Sequence, residues 1–76
     1  MLDQEVDDKG TDQGQAQGII RNLRDRAFEG SDEKAAVALG RSVEQVQAVI
    51  NGSEPVDDDL VMKARGIALN RGVEVE

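Results

Sequence analysis

Residues 31–60 read SDEKAAVALGRSVEQVQAVINGSEPVDDDL, a stretch in which polar helix starts and glycine stops alternate. Ser31 is a good N-cap, because its hydroxyl can accept from the free N–H groups of a first turn, and Asp32 and Glu33 suit the positive end of a helix. Ala35, Ala36 and Leu39 supply a buried face before Gly40 ends the segment. Only Arg41 separates that glycine from Ser42, and the spacing Ser42-x-x-Gln45 is that of a capping box, so two helices must turn sharply here. In the second of them Val46, Val49 and Ile50 face inward. Val43, Glu44, Gln45, Gln47 and Ala48 take the other positions, until Asn51-Gly52 terminates the helix. Its outer face is polar and mostly uncharged.

Toward the N-terminus, Ala16, Ile19, Ile20, Leu23 and Ala27 recur at three- and four-residue spacing and form one stripe of a helix that Gly30 stops. Arg21 and Arg24 lie on one flank of that stripe and Arg26 on the other. Toward the C-terminus, Asp57 caps a helix with Leu60, Val61, Ala64, Ile67 and Ala68 inward, ending near Gly72. The spacing therefore predicts helices over 16–28, 31–39, 42–51 and 57–70: an all-α, four-helix domain over residues 15–72. Residues 1–14, MLDQEVDDKGTDQG, hold only Met1, Leu2 and Val6 as sizeable apolar groups, too few to offset the entropy of ordering, and are expected to be a disordered acidic tail. Residues 73–76, VEVE, alternate apolar and acidic as a short C-terminal tail.

A chain of 76 residues has room for one domain with a thin margin of stability, and it contains neither cysteine nor histidine. A disulfide framework and any thiolate or imidazole metal site are excluded. With Phe28 as the lone aromatic and Ala, Val, Leu and Ile as the apolar supply, packed short helices suit the composition better than a sheet. No metal or cofactor is expected: the run Asp57-Asp58-Asp59 lacks the alternation and following glycine of a calcium loop, and it reads as a cap complementing the helix dipole. Catalysis would have to proceed without His, Cys, Tyr or Trp, and no glycine-rich phosphate loop occurs, so the chain reads as a non-enzyme. No apolar run reaches the length of a membrane span and no secretory signal opens the chain, which makes a cytoplasmic protein without a membrane partner the expectation. The net charge is −7, distributed as −4 over residues 1–15, zero over 16–52 and −3 over 53–76.

Short helix, glycine turn, short helix ending in Asn-Gly, then a capped helix is the layout of a DNA-reading helix-turn-helix. On the joint spacing of Ser31, Ala36, Gly40, Ser42, Val46 and Val49-Ile50-Asn51-Gly52, the stretch resembles the lambda-repressor-like superfamily, which includes Cro-type repressors and the headpieces of lactose-repressor-type regulators. The resemblance covers about half the chain well. It implies that the helix 42–51 lies in the major groove of DNA, with Val43, Glu44, Gln47 and Ala48 at base edges: Gln47 to adenine, Glu44 to cytosine, Val43 or Ala48 to a thymine methyl. Arg41, Ser42, Gln45 and Asn51 frame that face, and Arg21 and Arg24 offer cations from the first helix.

The chain departs from the family pattern in three places. Asp32 stands where the family commonly has a glutamine that meets a phosphate, the outward face of the reading helix has no basic residue, and Arg41 replaces the usual apolar turn residue. Two readings follow, the first being the expectation and the second its alternative. One is a small DNA-binding transcriptional regulator, weak as a monomer because phosphate contacts supply most affinity, and hence acting as a homodimer. The other is an acidic protein-interaction module of the same fold that does not bind DNA. The position of the cations separates them: convergence of Arg21, Arg24, Lys34 and Arg41 beside the outer face of the helix 42–51 favours DNA, and scatter favours a protein partner.

Overall fold

Each helix start expected at Ser31, Ser42 and Asp57 is a built cap in the computed structural model, which describes residues 13–76. Ser31 Oγ accepts from Lys34 N–H at 3.2 Å, Ser42 Oγ from Gln45 N–H at 3.0 Å, and Asp57 Oδ1 from Leu60 N–H at 2.7 Å. The caps define α2 (Asp32–Leu39), α3 (Val43–Asn51) and α4 (Asp58–Arg71), which follow α1 (Gln13–Ala27). No strand occurs among the described residues. The return half of the capping box, from Ser42 N–H to the Gln45 side chain, is not made; the serine hydroxyl alone starts α3.

Left-handed glycines close α2 and α3. Gly40 (φ 71°) and Gly52 (φ 86°) let the chain curl back, so that Arg41 N–H and Ser53 N–H donate to the carbonyls of Ala36 and Ala48, which would otherwise lack partners at a helix end. A side chain at either site would be strained in this backbone region. The exit from α1 uses two such residues, Glu29 (φ 58°) as well as Gly30 (φ 79°).

α1 packs against α2, α3 and α4. Gln13, the first described residue, already belongs to α1, inside the stretch expected to be tail, and it is tied to a distant loop. The Gln13 amide donates to Val56 O at 2.9 Å and accepts from Val56 N–H at 2.8 Å, filling both backbone groups of a buried loop residue forty-three positions away. The expected disorder of residues 1–12 lies outside the described residues. At the other terminus, Val75 is buried against the helices, and Asn22 and Arg26 of α1 donate to the carbonyls of Val75 (2.8 Å) and Glu74 (2.7 Å). The C-terminal segment is therefore part of the packed structure.

The core gathers Ala16, Ile19, Ile20 and Leu23 of α1, Ala35, Ala36 and Leu39 of α2, Val46, Val49 and Ile50 of α3, and Leu60, Val61, Ala64 and Ala68 of α4. Phe28, Val56 and Val75 close it from the connecting segments. Val46 is 1% exposed, on the inner face of a helix that packs on α1 and α2. Val46→Asp would place an unpaired carboxylate there at a cost of several kcal/mol, a large share of the stability of so small a domain. Loss of the helical circular dichroism signal at 25 °C is the expected outcome; an unchanged melting temperature would show that Val46 is not a core residue.

Candidate interaction face

α3 presents Ser42, Glu44, Gln47 and Asn51 to solvent, while Val43, Gln45 and Ala48 are half-buried. Val43 and its flank are drawn inward because Val43 packs against the core cluster. Of the two apolar groups expected at thymine methyls, Val43 is thus partly committed to packing. The α3 face is framed by the start of α2, by α1, and by the loop leading to α4.

Asp32 organises the first border. Its Oδ1 accepts from Arg24 Nη1 at 3.0 Å and its Oδ2 from Gln47 Nε2 at 3.1 Å, so one carboxylate joins α1, α2 and α3. Arg24 is held on its other side by Asp25, whose carboxylate lies 2.9 Å from Arg24 Nε. The Gln47 amide and the Arg24 guanidinium both favour the ionised carboxyl, and together they hold Asp32 below the usual carboxylate range. Gln47, the residue expected at an adenine, therefore spends one amide hydrogen on its own domain.

Arg41 organises the second border. It is half-buried in the α2–α3 turn and points toward the start of α4, where its Nη2 lies 3.4 Å from both Asp57 oxygens and 3.8 Å from Asp59. Asp57 thus caps α4 and holds Arg41 with one carboxylate. Sequence spacing could not have shown this, because the pairing depends on the angle at which the loop 52–57 returns.

The remaining cations lie apart. Gln17 of α1 donates to Ile50 O, a carbonyl at the end of α3, which places the Gln17–Arg21–Arg24 flank of α1 along α3. Arg21 sits on this flank, exposed and without an ion pair among the described residues. Lys34 lies elsewhere, lining a cleft with Phe28, Glu33, Val37, Ala38 and Arg71. Arg71 stacks over the Phe28 ring at 4.5 Å and donates to Ala27 O. The four cations considered from sequence do not converge: Arg21 and Arg24 flank α3, Arg41 faces α4, and Lys34 borders the Phe28 cleft.

The side chains of Arg24 and Asp32 are about a quarter exposed (22% and 25%), so their pair is screened and contributes on the order of 0.5–1 kcal/mol. Because the folded-state pKa of Asp32 is lowered, this contribution is present above the unfolded carboxyl value of about 3.9 and is lost as pH falls through the folded value. Asp32→Asn, which keeps the shape, should lower stability by that amount at pH 7, and the difference should shrink as the solution is acidified below the ordinary carboxylate range, as read from urea denaturation. A difference that stayed constant across this range would mean that the carboxylate charge is not what stabilises the network.

The chain matches no protein-family model, no curated protein and no solved structure.

Proposed function

We propose that this chain is a lambda-repressor-like helix-turn-helix domain, non-enzymatic, that uses the outer face of α3 to bind a basic protein surface in preference to DNA. The layout of capped α2, glycine turn, capped α3 and capped α4 supports the helix-turn-helix reading. The observation that carries the choice of partner is the state of the cations: Arg24 is held by Asp25 and Asp32, and Arg41 by Asp57 and Asp59. A phosphate approaching α3 would have to displace those carboxylates, giving up one ion pair for each one it formed. Residues 31–59, the segment that carries α3, hold seven acids against two bases, a net −5 that the flanking Arg21 and Arg24 of α1 reduce to −3. Such a field repels a polyanion and draws in a cationic partner, with Glu44, Gln47 and Asn51 offering acceptors on the exposed face.

Arg21 favours the second reading, a DNA-binding regulator, since it lies beside α3 with its charge uncompensated. A single such contact adds little non-specific affinity, because affinity for DNA grows with the number of phosphates neutralised.

One pair of titrations decides between them. The isotope-labelled chain at low salt is titrated with decalysine and, separately, with mixed-sequence duplex DNA, while backbone amide shifts are followed. Decalysine should move the amides of Asp32, Glu44, Gln47 and Asn51, reversibly on adding salt, and DNA should leave them in place. Shifts confined to Asp57–Asp59 would remove α3 as the binding face. If DNA instead moved Arg41–Ala48 and the shifts faded with salt, the regulator reading would replace this one, and Gln47→Ala should then cost about 1–3 kcal/mol on a preferred site.

A further inference from the structure

α4 has a second face, opposite the one it buries. Leu60, Val61, Ala64 and Ala68 point into the core, whereas Met62 and Leu69 stand 70% and 83% exposed. Met62, Gly66 and Leu69 follow one another at intervals of four and three, and so form a single outward stripe on the helix. Gly66 lies between the two apolar side chains with nothing within 4 Å of where a Cβ would stand, so the middle of the stripe is open to close approach.

The charges beside this stripe have a pattern of their own. Asp58 and Arg65 are seven residues apart and lie on the same flank of it, both exposed. Turning a second α4 antiparallel about Met62 sets Met62 against Met62 and brings each Asp58 beside the other copy's Arg65, twice by symmetry. Leu69 then reaches the loop before the other copy's Asp57 cap, where Pro55 is exposed. A parallel arrangement would instead align Asp58 with Asp58 and Arg65 with Arg65. Arg65 also bonds Glu76 through Nε, which leaves its two terminal nitrogens for a further carboxylate.

We infer that the Met62–Gly66–Leu69 face of α4 is the contact between two copies of this chain, joined antiparallel about a two-fold axis at Met62 with reciprocal Asp58–Arg65 pairs. The order of charges argues for a second copy as the occupant: with the helix reversed about Met62, each Asp58 meets the terminal nitrogens of the other copy's Arg65, which Glu76 does not use. A fourteen-residue helix makes a small contact, below the size of stable interfaces, so the dimer forms and dissociates readily.

Sedimentation equilibrium of the full chain from about 10 µM to about 1 mM, a range chosen for a contact this small, tests the inference. The average mass should rise from monomer toward dimer. Met62→Glu, which sets two carboxylates against each other at the axis, should weaken association at least tenfold while leaving the melting temperature of the dilute protein unchanged, because Met62 is exposed in the monomer. Arg65→Asp should weaken association as well, and adding Asp58→Arg to it should restore association, a rescue that a general loss of structure cannot produce. A monomer mass at every concentration would overturn the inference, and so would a dimer indifferent to Met62→Glu. Failure of the exchanged pair to recover would overturn the antiparallel arrangement.

Discussion

Ala16, Ile19, Ile20 and Leu23 form the stripe on which the rest of this structure depends, each at most 1% exposed on a helix that packs against all three others. Full burial of a leucine or isoleucine contributes roughly 1.5–3 kcal/mol, so these few side chains supply an amount comparable to the whole net stability of a small domain. α3 and α4 do not pack on each other and keep their relation through α1 and α2. Once the stripe is seated, polar groups of α1 fall within reach of distant backbone: Gln13 meets Val56, Gln17 meets Ile50 O, and Asn22 and Arg26 meet the C-terminal segment. Those bonds are consequences of the packing, and they fasten loops that have little apolar surface of their own.

What could be read from the sequence was what is decided locally. A serine or aspartate cap bonds an N–H three residues on, and a left-handed glycine closes the turn it ends, so Ser31, Ser42, Asp57, Gly40 and Gly52 announced three helices to within a residue or two. Apolar spacing at three and four residues likewise marked the inner faces of α1, α3 and α4. That Gln13 belongs to α1 was not legible, because it is tied to the structure by Val56, forty-three residues away. The alternation Val73–Glu76 hid a buried Val75 for the same reason, its carbonyl being held by Asn22 across fifty-three residues. At the candidate site, helical spacing identified the residues on the α3 face, but the pairing of Gln47 with Asp32 and of Arg41 with Asp57 depends on how helices cross and loops return. That pairing is what changes their chemical meaning.

The acids at helix starts illustrate how one side chain serves two ends. Asp32 complements the positive end of α2 and also ties Arg24 to Gln47; Asp57 caps α4 and also holds Arg41. Each of these carboxylates stabilises the domain by a modest amount, and each occupies a donor that would otherwise face solvent. Asp32 therefore does more than complement a helix end. It closes one border of the α3 face with a network that uses donors of Arg24 and Gln47.

The two exposed faces differ in what water already does for them. The α3 face is polar, and its hydrogen-bonding groups are satisfied by each other or by solvent, so any partner there must offer charge that compensates for the water displaced. On α4 the outward stripe is apolar at Met62 and Leu69, and covering it releases water without a desolvation cost for the side chains themselves. Since α3 and α4 make no direct packing contact, occupation of one face leaves the other accessible, held in place by the α1 stripe. A domain this small can therefore present one polar and one apolar surface at once, because the burial that stabilises it lies between them and not on either.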